Sequence, residues 1–147
     1  MTDIRIMKIE DYEGVYDLWI STPGMGLNTT DDSREGIAKY LKRNPSTCFV
    51  AEDEEKIVGV IMSGHDGRRG YICHTAVLPA YRNQGIARSL VEHALAALDE
   101  EGINKVALVA FRRNTDGNAF WEKMGFTERT DLSYRNKNNH DLERIDT

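Results

Sequence analysis

The stretch that decides the fold reads Thr75-Ala76-Val77-Leu78-Pro79-Ala80-Tyr81-Arg82-Asn83-Gln84-Gly85-Ile86-Ala87-Arg88. Its pattern indicates the end of an apolar strand, then a short loop, then the first turn of a helix. The first N–H groups of a helix have no partner inside the helix, and they form the positive end of its dipole. The stretch therefore predicts one of two things: an anion site, with phosphate as the best ligand, or an ordinary loop with a packing glycine.

Composition sets the class of protein. The 147 residues predict a single domain over residues 1–147, with a polar tail at 136–147 in which we expect little order. Hydrophobic residues make up 40% and charged residues 29%, which is typical of a globular protein. The net charge of −5 argues against a nucleic-acid partner, which prefers a basic face. No run has the features of a signal peptide or a membrane span, so we expect a cytoplasmic protein without a membrane partner.

The two cysteines, Cys48 and Cys73, both lie in apolar, strand-like runs. Such surroundings favour buried free thiols over a disulfide or a pair of metal ligands. We therefore expect no metal site.

The first half of the chain reads as a strand, two helices and a meander of three strands. Asp11 is a candidate cap of the first helix, and Asp32 with Glu35 resembles a capping box at the start of the second. The three strands of the meander, at 47–51, 57–62 and 71–77, are predicted to pair antiparallel.

The second half alternates helices and strands. After the opening stretch come a long helix that ends at Gly102, a buried strand at 106–110, a short helix at 114–124, and a last strand within 126–134. A right-handed crossover makes the strands that flank the long helix parallel. The predicted fold class is α/β: a mixed sheet with an antiparallel N-terminal meander, a parallel central pair, and helices on both faces.

Two motifs resemble those of the GNAT superfamily of N-acetyltransferases. Arg82-Asn83-Gln84-Gly85-Ile86-Ala87 is similar to the acetyl-CoA motif R/Q-x-x-G-x-G/A, and it follows a strand end as that motif does. The run Asn114-Thr115-Asp116-Gly117-Asn118-Ala119-Phe120-Trp121-Glu122-Lys123-Met124-Gly125-Phe126 resembles the second signature, an Asn followed by an aromatic residue and a Gly–aromatic pair. The element order also matches, so the resemblance covers nearly the whole chain. The turn at 65–70 further resembles a bacterial subgroup of small GNAT proteins of the YpeA type.

The resemblance implies acetyl-CoA as the acetyl donor and assigns its binding residues. The backbone at Val77 would pair with the pantetheine arm, and Asn114 would reach the pantetheine or the phosphate region. The residues implied to cradle the pyrophosphate are Arg82, Asn83, Gln84, Gly85, Ile86, Ala87 and Arg88.

The resemblance also implies direct attack of a neutral amine on the thioester in a ternary complex, which requires a base. The base candidate is His74, for which a hydrogen-bonded histidine packed under a helix is the alternative. A Tyr often protonates the leaving thiolate, but Trp121 stands at that position and is no acid of useful pKa. Tyr134 is the candidate acid in its place. Alternation back from Val77 puts Cys73 on the same face and His74 on the opposite one, unless a β-bulge reverses the order.

The acceptor pocket of the family is built partly from the loop between the first two helices, here residues 22–30. This loop has no acidic cluster, so the acceptor can be a small-molecule amine or a protein N-terminus. A homodimer is a possible assembly. An alternative function is an acyl-CoA-binding or regulatory module with weak chemistry, which Trp121 and the missing carboxylate base favour. A nicotinamide-dinucleotide protein is disfavoured because the loop lacks G-x-G-x-x-G.

Overall fold

The computed structural model describes residues 2–145, which form one five-stranded sheet and four α-helices. The strands are β1 (Asp3–Ile6), β2 (Phe49–Asp53), β3 (Lys56–His65), β4 (Gly70–Val77) and β5 (Val106–Leu108). The helices are α1 (Tyr12–Ile20), α2 (Arg34–Arg43), α3 (Ile86–Glu100) and α4 (Thr115–Lys123). Within residues 2–145, no helix has both the length and the apolar character that crossing a membrane requires.

The strands lie in the sheet in the order in which they occur in the chain. β1 to β4 pair antiparallel, and β4 pairs parallel with β5 across the α3 crossover. This confirms the predicted mixed sheet. β3 pairs with β4 along its length, from Gly70 to Val77, whereas β5 pairs only with Gly70–Ile72. The second half of β4 therefore lies open on its β5 side within the described part of the chain.

Each face of the sheet carries its own core. The face under α1 and α2 buries Val15, Leu18, Trp19, Ile37, Leu41, Val50, Val60 and Met62. The face under α3 buries Ala51, Val58, Ile61, Ile72, Val77, Ile86, Leu90, Val91 and Ala94, and aromatic residues of α4 pack at its margin. The α3 residues recur at helical spacing as the sequence predicts. Helices on both faces are thus confirmed.

The second half of the chain departs from the prediction at two strands. β5 ends at Leu108 and is half-exposed, not buried, because no described strand covers its outer edge. No strand forms within 126–134. Gly125 adopts a left-handed φ of 92°, and the Phe126 N–H donates back to the Trp121 carbonyl at 2.9 Å. This helix-ending motif turns the chain back onto α4 instead of along β5.

The predicted cap at Asp32 is wrong, and Asp11 stands at the N-cap of α1 as predicted but makes no side-chain cap bond. Ser33 caps α2 by accepting a hydrogen bond from the Gly36 N–H, which leaves the Asp32 side chain free to turn inward. The Asp11 carboxylate makes no cap bond to α1 and accepts two hydrogen bonds from Arg5, at 2.7 and 2.8 Å. Burial alone would raise the pKa of Asp11, but the hydrogen bonds from Arg5 and Lys8 outweigh it and lower the pKa.

The tail contacts the loop between α1 and α2. The Thr29 N–H donates to the Glu143 carbonyl at 2.9 Å, and the Ile145 N–H donates to the Leu27 carbonyl at 3.0 Å. Ile145 also packs against the core under α1 and α2. Of the tail in which we expected little order, residues 146 and 147 lie outside the described part.

Candidate active site

The open half of β4 presents free backbone at its end. The Leu78 N–H donates to the Val58 carbonyl at 2.9 Å, so the backbone groups of Val77 point the other way, to the open side. The Arg82 Nε donates to the Val77 carbonyl at 3.0 Å and ties the following loop to the strand end. An extended ligand can therefore pair with β4 at Val77 as an additional strand would.

The loop before α3 exposes main-chain donors. Its residues Asn83 and Gly85 have left-handed φ angles of 62° and 82°. Gly85 is the N-cap of α3, and the first helical bond runs from the Ser89 N–H to the Gly85 carbonyl at 3.0 Å. The N–H groups of residues 86–88 precede that bond, so the helix gives them no partner.

The surroundings of Gly85 distinguish between the two interpretations of this loop, an anion site or an ordinary loop with a packing glycine. A Cβ added to Gly85 would meet no atom within 4 Å, so packing does not require a glycine there. What requires it is the left-handed backbone, which turns consecutive N–H groups into one concavity. The geometry therefore favours the anion site.

The side chains of the loop brace it. Arg82 binds the Val77 carbonyl, and the Gln84 Nε2 donates to the Ala80 carbonyl at 3.3 Å. Arg88 is exposed and lies 3.6 Å from Glu92 one turn on. Ile86 is buried against the α3 core, with Ala87 packed beside it. The side chains of Arg82 and Gln84 thus hold the shape of the loop, and its main-chain N–H groups are the candidate anion donors.

Thr75 of β4 carries a buried hydroxyl beside the bulge. Its Oγ1 is buried, and no hydrogen-bond partner for this atom lies within residues 2–145. Buried hydroxyls in native folds nearly always have a partner.

The second signature forms α4. Asn114 is its N-cap and accepts a hydrogen bond from the Gly117 N–H at 3.0 Å. Trp121 packs edge-to-face against Phe120 and Phe126, with ring centroids 5.0 and 5.3 Å apart. Trp121 is therefore a packing residue between α4 and the segment that follows it.

A β-bulge interrupts β4 at His74. The pairing shifts between Val60 opposite Ala76 and Met62 opposite Cys73, so His74 and Thr75 together face a single residue of β3. The bulge makes the predicted shared face of Val77 and Cys73 wrong: Cys73 packs with α1 and α2, and Val77 with α3. The His74 side chain lies on the face of the sheet opposite to that of Val77, as expected. Its ring contact with Trp19 of α1 shows this.

Contacts with Asp32 and Trp19 fix the position of His74. Its Nε2 lies 2.7 Å from Oδ1 of Asp32, whose side chain is only 5% exposed. Its ring meets the Trp19 ring edge-on with centroids 5.1 Å apart, and the Trp19 Nε1–H donates to the His74 carbonyl at 3.1 Å. Its backbone has a φ of 48°, which is uncommon outside glycine.

Sequence reasoning missed Asp32 as a site residue. The two partners lie 42 positions apart, and Asp32 precedes a helix, where an acidic residue is expected for capping. The only available signal was Ser33, a second cap residue that made Asp32 redundant at the helix start.

The other candidate groups lie around this centre. Tyr134 is 68% exposed and sits near Tyr71, whose pKa is raised first by burial and then by Cys73 and Tyr134. Burial raises the pKa of Cys73 to about 12 and that of Cys48 to about 12. Both are free thiols, as predicted, and neither is a ready nucleophile at neutral pH.

Comparisons with known proteins identify the family of the chain. The family described as the acetyltransferase (GNAT) family matches residues 12–126. An acetyltransferase of Photorhabdus laumondii subsp. laumondii is 30% identical over 131 residues, covering 86% of this chain and 87% of its own. One of Pectobacterium atrosepticum is 32% identical over 124 residues, covering 84% and 86%. The crystal structure of Ard1 from Thermoplasma volcanium shares the fold, with a TM-score of 0.72 at 21% identity over 86% of this chain and 82% of that one.

An open strand edge that leads into a helix start, whose first N–H groups have no partner in the helix, suits an extended, phosphate-bearing ligand. The chain belongs to the GNAT family of acetyltransferases. It is an N-acetyltransferase with acetyl-CoA as donor, as the resemblance implied. The narrower YpeA-type assignment stays a prediction.

We expect Gly85→Ala to weaken acetyl-CoA binding at least about tenfold, because a methyl group in the concavity holds an anion away from the backbone donors. A left-handed alanine costs about 1–2 kcal/mol of folding free energy wherever it stands. Gly102→Ala is the matched control, since Gly102 ends α3 with a φ of 80° and also has open space around it. Isothermal titration calorimetry gives the dissociation constants and thermal unfolding the stabilities. Equal affinities in the two variants would contradict the site.

Proposed function

We propose that this enzyme moves the acetyl group of acetyl-CoA to a primary amine by direct attack in a ternary complex, with His74 as the base. The observation that carries the proposal is on β4. One strand holds both an open backbone edge at Val77 and a histidine paired with a buried carboxylate. Donor binding and proton removal thus act from neighbouring positions.

The donor would be held chiefly by main-chain groups. Its pantetheine arm would lie along the open edge at Val77, and its pyrophosphate over the loop from Arg82 to Arg88. Support comes from the left-handed Asn83 and Gly85 and from the positive end of the α3 dipole. Asn114 would approach the same donor from the start of α4. When bound, acetyl-CoA supplies an activated thioester.

His74 would take a proton from the attacking amine. As the amine nitrogen bonds to the acetyl carbon, it becomes positively charged and must lose a proton to the base. The carbon–sulfur bond breaks with its electron pair going to the thiolate. An imidazole suits this role because it changes charge near neutral pH. The contacts with Asp32 and Trp19 fix its position.

Tyr134 is the proposed proton donor to the leaving thiolate, in place of Trp121. Its support is its position beside Tyr71 of β4 and the packing role of Trp121. Thiolates leave readily, so we expect this step to add less to the rate than proton removal by His74.

The acceptor would enter beside the loop between α1 and α2. A Cβ on Gly24 would lie 3.8 Å from the Phe111 ring, so this loop meets the segment after β5. The acceptor would pass between these two segments to reach the donor. We propose a small-molecule amine or an exposed protein N-terminus as acceptor.

The test is acetyl-CoA turnover measured as thiol release against a panel of polyamines, aminoglycosides, amino acids and peptides with free N-termini. With an accepted amine, we expect His74→Gln to lower kcat by about 10²–10⁴-fold, the usual range for loss of a general base. His65→Gln is the control, because His65 pairs with Glu101 near the β3–β4 turn. Mass spectrometry of the product locates the acetyl group on nitrogen.

Two outcomes would contradict the proposal. Unchanged kcat in His74→Gln would remove His74 as base. Tight acetyl-CoA binding without turnover on any amine would favour the binding or regulatory module.

We also expect the wild type and Cys73→Ala to show intersecting initial-velocity patterns when amine and acetyl-CoA are varied together. The burial that raises the pKa of Cys73 to about 12 keeps the thiol protonated, so no acetyl group is carried on it. Parallel lines in the wild type that are lost in the variant would show an acetyl-cysteine route instead.

A further inference from the structure

We infer that Asp32 is a positioning residue that keeps the proton of His74 on Nε2 and leaves Nδ1 as the nitrogen that accepts the proton of the amine. The inference rests on the proposed role of His74. It concerns which ring nitrogen works, and it assigns a function to a buried aspartate that sequence reasoning took for a helix cap. We call the two residues the Asp32–His74 dyad.

Asp32 has few partners, and each uses a defined atom. Its Oδ2 accepts a hydrogen bond from the Asn28 N–H at 2.9 Å, and its Oδ1 meets the His74 Nε2 at 2.7 Å. Among the ion pairs of residues 2–145, Asp32 has no lysine or arginine partner. A carboxylate only accepts hydrogen bonds, so Nε2 is the nitrogen that carries the proton.

The buried carboxylate and the left-handed backbone would be unfavourable for folding if His74 only filled space in the core. Burying a carboxylate is unfavourable unless hydrogen bonds replace its water, and here one of the two replacements is His74. The left-handed φ of 48° at His74 adds backbone strain. Such strain persists where surrounding contacts over-determine a residue, as the Trp19 contacts do here.

Three further titratable groups around the dyad are neutral at physiological pH. Tyr12 of α1 donates its O–H to the Asp32 main-chain carbonyl at 2.6 Å, and burial raises its pKa. Cys73 of β4 has a pKa raised to about 12, and burial raises the pKa of Tyr40 of α2 far above its usual value. None of these three groups adds a charge beside the His74 ring.

Asp32→Asn would reverse the assigned tautomer, and Asn28 explains why. The Asn28 N–H needs an acceptor, so the new amide turns its oxygen to the position of Oδ2. Its NH₂ group then occupies the position of Oδ1 and donates to the His74 Nε2. That nitrogen loses its proton, Nδ1 becomes protonated, and the lone pair that would accept the amine proton is gone.

The first experiment reads the tautomer without any turnover. Protein labelled with ¹⁵N-histidine is examined by NMR at neutral pH, with the His74 signals assigned from the spectrum of His74→Gln. We expect the proton on Nε2 in the wild type and on Nδ1 in Asp32→Asn. Asp31→Asn is the matched control, since Asp31 is the exposed neighbouring aspartate and its carboxylate accepts a hydrogen bond from the Asn28 side chain, not from His74. It should keep the wild-type tautomer.

The second experiment measures kinetics on the same proteins. We expect Asp32→Asn to lower kcat by at least about 10²-fold with an unchanged KM for acetyl-CoA, and Asp31→Asn to leave both unchanged. A wild-type proton on Nδ1 would overturn the inference whether or not the variant folds, and so would full kcat in Asp32→Asn. Full kcat in His74→Gln would instead overturn the base role under the proposed function, while the assigned tautomer would stand.

Discussion

The β-bulge at His74 and Thr75 is the feature on which the rest of the site depends. It places two residues of β4 opposite one of β3 and reverses the alternation of side chains beyond it. Val77 and Ile72 therefore face the α3 core, while Cys73 and His74 face α1. A bulge also bends its strand, and β4 parts from β5 just before this point. One local irregularity thus opens the strand edge and turns a histidine toward a buried aspartate.

The donor-binding loop and the surroundings of His74 depend on different kinds of interaction. Donor binding is assigned to main-chain N–H groups whose arrangement depends on two left-handed residues and a helix dipole. Such a site needs little from side chains, so a short local motif can encode it. The proposed base depends on side chains from three separate parts of the chain, with Asp32, Trp19 and His74 meeting in the core. That arrangement is encoded only in the tertiary fold.

This difference explains what could be predicted. The strand, loop and helix around Gly85 are contiguous, so propensity and motif together identified the fold class and the donor. Asp32 looked like a helix cap because the local sequence offers both Asp32 and Ser33 for that role. Only the fold shows that Ser33 takes it while the Asp32 carboxylate is buried. The last strand was predicted from local pattern, but Gly125 ends α4 in a turn that directs Phe126 back to Trp121. The predicted shared face of Val77 and Cys73 failed because an inserted residue leaves no mark in the sequence pattern.

A crystal structure of the complex with CoA tests the central claim most directly. The account predicts the pantetheine hydrogen-bonded to the backbone of Val77 on the open side of β4. It also predicts pyrophosphate oxygens within hydrogen-bond distance of the N–H groups at the start of α3, with the thiol on the side of Thr75 and His74. A CoA molecule whose pyrophosphate contacts neither the Gly85 loop nor these N–H groups would contradict it.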